Sequence, residues 1–155
     1  MNPLQARADA LAFLKRNFIA TIATVSAAGN PQASLVYYAC DDNFTIYFST
    51  LMSTRKYANV LAHPRAAFTV ATIDVPQTLQ LEGDVSVVTN QAQLEENVAR
   101  LIEPLTSNQN YQWPMAKLDG AVVALLRFTP AWARWGDFAN FAKDSAAVFT
   151  EIPLA

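Results

Sequence analysis

The chain has 155 residues, a length that suits one domain, and 11 Lys plus Arg against 13 Asp plus Glu leave a formal net charge of −2. That balance argues against a general nucleic-acid binder or a protein held on anionic membranes. Charged residues make up 15% of the chain and apolar residues 52%, so it can fill a core with apolar surface left to cover, which points to an extensive subunit interface.

Asn2-Pro3 opens the first predicted element, a helix running to Lys15-Arg16, with Asn as cap and Pro at the first helical position. Leu4, Ala8, Leu11, Ala12 and Leu14 are its expected apolar positions. Phe18 to Val25 alternates apolar and Thr residues and reads as a strand. Ser26 to Pro31 is a turn, Gln32 to Cys40 a second strand, Asp41-Asp42-Asn43 a tight turn, and Phe44 to Ser49 a third strand. A short helix, Thr54 to Ala62, stops before Pro64. Ala66 to Thr72 and Gln77 to Thr89 are the fourth and fifth strands, with Gly83 marking a bulge or bend. Asn90 caps a helix to about Ile102, with Leu94, Val98, Leu101 and Ile102 on one face. A loop from Thr106 to Asp119 carries Tyr111 and Trp113, and a sixth strand spans Gly120 to Trp135 with an interruption near Pro130. The tail after Asp137 has no clear pattern. The class is mainly β (α+β): a six-stranded antiparallel barrel with flanking helices, in a single domain over residues 1–155.

Several chemistries are excluded. His63 is the one histidine, so neither a zinc site built on histidines nor a multi-histidine iron site exists here. The glycines are too scattered for a dinucleotide fingerprint or a P-loop, and no serine sits in GxSxG. The lone Cys40 rules out an intrachain disulfide, fits a reducing cytoplasmic setting, and reads as a buried, inert thiol. No leader-like or membrane-length apolar segment stands out, so the expectation is a soluble cytoplasmic protein. Chemistry in such a chain comes from a cofactor.

The informative segment is Tyr47 to Lys56. It places Ser49 and Thr50 at a strand end, then Thr54, Arg55 and Lys56 at a helix start. A helix N-terminus offers free N–H groups and the positive end of its dipole to a phosphate, Arg grips two oxygens and Lys adds a point charge. Alone, this is also the look of a solvated capped helix.

From Phe18 to Gly83 the chain resembles the flavin-binding split barrels related to pyridoxamine 5′-phosphate oxidase. The matching features are Gly29-Asn30-Pro31, Ser34-Leu35-Val36, the Asp41-Asp42 hairpin, Phe48-Ser49-Thr50, Thr54-Arg55-Lys56, Asn59, His63-Pro64-Arg65 and Leu81-Glu82-Gly83. The resemblance implies a homodimer of six-stranded split barrels with FMN at the subunit interface. Arg55 and Lys56 would hold its phosphate, with Ser49, Thr50 and Thr54 near the phosphate and ribityl chain. Ser34, Leu35 and Val36 would run beneath the isoalloxazine, and Thr78 stands where oxidases of the family place a flavin-contacting glutamine, with Gln77 adjacent. In the segment Thr129 to Asp137, Trp132 or Trp135 would approach the ring from the second subunit and Arg134 would offset its charge; packing of both tryptophans at the interface is the alternative. The basic residues that bracket the oxidase's flavin segment are replaced by Ser34 and Ala39, and the Arg-Leu-His substrate signature is missing. The expected function is an FMN-dependent oxidoreductase of unassigned substrate, with a non-catalytic flavin-binding, storage or stress-response protein as the alternative. F420 and haem rank below FMN as cofactors, and true pyridoxamine phosphate oxidase activity is not expected.

Overall fold

The first helix, α1 (Pro3–Arg16), begins as its sequence requires: Asn2 accepts from the Leu4 N–H at 3.0 Å and Pro3 takes the first turn. Its buried face is Ala6, Ala10, Phe13 and Leu14 rather than the expected stripe through Leu4, Ala8 and Ala12, which are exposed. Phe13 decides this, because its ring meets Trp135 edge-on at 5.0 Å and turns the helix toward the barrel. The computed structural model describes residues 2–106, 122–141 and 148–154.

Among the described residues eight strands follow: β1 (Ile19–Val25), β2 (Pro31–Tyr37), β3 (Ala39–Cys40), β4 (Ile46–Leu51), β5 (Arg65–Thr72), β6 (Gln77–Val87), β7 (Val123–Asp137) and β8 (Phe149–Glu151). Two further helices intervene, α2 (Arg55–Ala62) and α3 (Gln91–Thr106). All pairings are antiparallel, in the order β2-β1-β5-β6-β7-β4-β3, with β8 added on β7. The expected six strands thus become seven along one path, plus β8. The expected second strand is cut in two at Tyr38, and the patternless tail contributes β8 and a 3-10 turn at Phe138–Asn140.

The break at Tyr38 closes the fold. β2 pairs with β1 at one edge of the sheet, and β3 pairs with β4 at the other. One residue joins the two edges, so the sheet must curl until they meet. Tyr38 is buried there, with its hydroxyl donating to the Leu14 carbonyl at 2.8 Å. β2 and β4 approach each other but share no ladder. The result is a split barrel: closed in outline and open along the line between β2 and β4. Ile22, Phe48, Phe68, Leu79, Leu81, Leu126, Phe128 and Trp135 fill the inside.

Gly83 marks an irregularity, as expected, but the extra residue lies on the partner strand. Glu82 faces Trp132 and Gly83 faces Pro130, which leaves Ala131 unpaired on β7. The two backbones are so close that a Cβ on Gly83 would lie 2.2 Å from the Thr129 carbonyl oxygen. The side chains of Leu94, Leu101 and Ile102, together with Tyr111, Trp113 and Gly120, lie outside the described residues. Among the described residues no helix is long and apolar enough to cross a membrane.

Candidate functional site

The turn from β4 into α2 is built by hydroxyls. Thr54 caps the helix: its Oγ1 accepts from the Tyr57 N–H at 3.3 Å and donates to the Leu51 carbonyl at 2.8 Å. Thr50, 4% exposed on the inner face of β4, lies 3.1 Å away, hydroxyl to hydroxyl. The cap leaves the Arg55 and Lys56 backbone N–H groups without an acceptor among the described residues. Both donors and the helix dipole point the same way. Arg55 is exposed, whereas Lys56 is half-buried. Neither makes an ion pair among the described residues. Burial pushes the Lys56 ammonium below the ordinary lysine range.

Across the split stands β2, paired on one side only among the described residues. Half the backbone N–H and C=O groups of its Ser34–Val36 stretch therefore face away from β1. Ser34 and Val36 turn inward, and Leu35 turns outward with 61% exposure. The Asn59–Gln32 hydrogen bond sets α2, with Thr54, Arg55 and Lys56 at its start, beside the edge of β2 across the split (the α2 cleft), and the buried Thr50 meets that start through Thr54. Ser49 shares a face of β4 with Tyr47 and points away from Thr50, by strand alternation.

The remaining candidates fall elsewhere in the chain. Trp135 is 1% exposed in the core, so it is a packing residue and leaves the set of ring-contacting candidates. Trp132 faces outward on the opposite side of β7. With Arg134 it borders a cavity of about 390 Å³ on the outer face of β5–β6–β7, where Gln80 and Glu82 also line the wall. Arg134 is held there: Gln80 Oε1 accepts from it at 2.7 and 3.1 Å, and its guanidinium lies over Phe149 at 4.6 Å and Trp132 at 5.6 Å. Gln77 and Thr78 begin β6 beside Asp137 and Gly136. Gln77 is engaged with Arg16 at 2.5 Å and Asp137 at 3.2 Å. About 30 Å of strand separates Thr78 from Val87, the end of β6 nearer β4, so one chain does not bring them to the α2 cleft.

The outer sheet face carries a row of its own. Leu35, Thr21, Thr69, Gln80 and Arg134 stand opposite one another on successive strands. Ala33, Ala23, Ala67, Glu82 and Trp132 form the row beside it. Sequence reasoning passed over Gln80 as a site residue, although its two-residue spacing from Glu82 puts both on one face. His63 caps the C-terminal end of α2, its N–H donating to the Asn59 carbonyl at 2.8 Å, as expected of a helix-end residue. Cys40 is half-buried, and burial pushes its thiol up to about 11.

The model of the pyridoxamine 5′-phosphate oxidase family matches residues 6–136, so the chain belongs to that family. No curated protein matches the sequence significantly. Among solved structures, a heme binding protein from Mycobacterium smegmatis aligns at 16% identity and TM-score 0.70, over 84% of this chain and 53% of that one. A protein related to general stress protein 26 from Clostridium acetobutylicum aligns at 16% identity and TM-score 0.64, over 86% and 89%. An F420 reductase aligns at 22% identity and TM-score 0.62, over 79% and 93%. At these identities the likeness concerns the fold alone.

Proposed function

We propose that this chain binds FMN and acts as a flavin-dependent oxidoreductase on a small molecule. The observation that carries the reading is the start of α2: two backbone N–H groups unclaimed among the described residues, beside an exposed arginine and a half-buried lysine with no ion-pair partner among them. A phosphate there would gain the dipole, two amides and two cations at once. A bound flavin would supply hydride transfer with no side-chain nucleophile needed. The chain's own part is to hold and orient. Thr50 and Thr54 line the path from the phosphate, and the unpaired edge of β2 offers backbone donors and acceptors to a polar ring edge.

The same reading makes the protein a homodimer of single-domain split barrels. The low-charge outer face of β2–β1–β5–β6 is the surface a two-fold partner would cover. Such a partner could bring Trp132 and Arg134 of one subunit to the cleft of the other, uniting two groups that one chain keeps apart. The cavity beside Trp132 then leaves room for a substrate, which favours an enzyme over a sealed flavin carrier. FMN is favoured over haem because His63 stands at the far end of α2 from Arg55 and Lys56. A cytoplasmic, reducing setting agrees with the single thiol.

Calorimetric titration of FMN into wild type and Arg55→Ala tests the site. Loss of a charge-assisted bond should weaken binding by roughly 1.5–3 kcal/mol, about 10- to 150-fold in Kd. Unchanged affinity would put the phosphate elsewhere. Stopped-flow reduction of the loaded protein by NADH or NADPH separates enzyme from carrier: no reduction above that of free flavin would refute the enzymatic part.

A further inference from the structure

Beneath α2 lies a buried polar bridge that the phosphate site does not use. Asn59 is 7% exposed, and its amide nitrogen donates to Thr24 Oγ1 at 3.0 Å and Gln32 Oε1 at 3.1 Å. Both amide hydrogens are thereby spent. The two acceptors face each other across the β1–β2 ladder. Thr24 belongs to β1, which β5 holds from the other side, whereas Gln32 belongs to β2, whose outer edge has no strand partner among the described residues.

The positions matter. Asn59 follows Arg55 by four residues and Lys56 by three, so it shares their side of α2. Gln32 precedes Ser34 by two and shares its face of β2. One side chain therefore ties the helix that carries both cations to the free-edged strand across the cleft.

We propose that Asn59, through Gln32, is a positioning residue that sets the span between the N-terminus of α2 and β2. It thereby fixes the length of ligand that the cleft engages at both ends. The inference rests on the flavin reading above, with the phosphate at α2 and the ring along β2. Cutting the bridge at Gln32 leaves both half-sites formed: α2 keeps its cap and its bond to Thr24, and β2 keeps its ladder to β1. Only the spacing between them relaxes. A ligand that needs both ends then loses more than one that uses a single end.

The test compares FMN with riboflavin, which lacks the phosphate, by fluorescence titration of wild type, Gln32→Leu and Thr24→Val. In Gln32→Leu the preference for FMN over riboflavin should fall by about tenfold or more. Thr24→Val, which leaves the tie to β2 intact, should lower stability without moving that ratio. An unchanged ratio in Gln32→Leu overturns the proposal, because a purely structural bridge would weaken both ligands alike. Amide exchange of ligand-free protein gives a second readout, with faster exchange expected over residues 33–37 in Gln32→Leu. If wild type binds neither flavin, the flavin reading fails. The bridge is then judged on exchange alone, where unchanged rates in Gln32→Leu overturn it.

Discussion

Replacing Lys56 by Met should separate two quantities that usually move together. Lys56 is half-buried with no ion-pair partner among the described residues, and burial holds its ammonium below the ordinary lysine value of 10.5. The ligand-free protein thus carries a charge that its surroundings penalise. Methionine keeps the apolar stem and removes the charge. Ligand-free stability should hold or rise, by no more than about 0.5 kcal/mol, because solvent still screens much of the group. Affinity for FMN should fall by roughly 1.5–3 kcal/mol, about 10- to 150-fold. The pH dependence has a definite sign. The folded-state pKa lies below the unfolded one, so between the two the unfolded chain binds more protons. Stability of the ligand-free protein therefore rises with pH across that window, and the variant lacks the rise. A bound phosphate favours the charged lysine, so wild-type affinity falls as pH climbs through the depressed pKa. Thermal unfolding with and without FMN, from neutral pH upward, measures all of this. A variant that loses stability yet keeps its FMN affinity would refute the reasoning.

Three further outcomes follow from the geometry. Trp135→Ala should cost about 3–5 kcal/mol in denaturant unfolding, since its ring is fully buried against Phe13, whereas Trp132→Ala should leave stability within about 0.5 kcal/mol and weaken flavin binding. Gly83→Ala should cost about 2–3 kcal/mol, because the new methyl meets the Thr129 and Pro130 backbone, which cannot turn aside as a side chain would. The Cys40 thiol, shifted by burial from 9.0 to about 11, should react with iodoacetamide near neutral pH about a hundredfold more slowly than an unshifted thiol. The same shift makes the folded state bind the extra proton, so Cys40's contribution to stability falls as pH rises from 9.0 toward about 11.

Local chemistry made much of this protein legible in its sequence. Asn2-Pro3 and Thr54 are caps whose side chains can do little else at those positions, and both cap as expected. The Asp41 turn is likewise self-contained, with its carboxylate accepting from the Asn43 and Thr45 N–H groups at 2.8 and 2.9 Å. The start of α2 as a cation-bearing, capped helix was readable for the same reason. What depended on distant partners was not. Nothing local marks Tyr38 as the residue where one run of chain leaves β1 for β4; only barrel closure demands it. The tryptophans show the effect most clearly. Alternation continued from Leu126 and Phe128 would put Trp132 in the core and Trp135 outside. The unpaired Ala131 inverts that parity, so Ala133 and Trp135 turn inward and Trp132 turns out. Proline and glycine signalled an irregularity, but which strand carries the extra residue is set by the pairing of β6 with β7.

The central claim is that the α2 cleft holds a flavin by its phosphate. An absorption spectrum of purified protein, mixed with FMN and then desalted, tests it most directly, with Arg55→Ala carried through the same column. The account predicts that wild type keeps the visible flavin bands and that the variant loses most of them. A wild-type protein that emerges colourless, or a variant that retains flavin equally well, would contradict it.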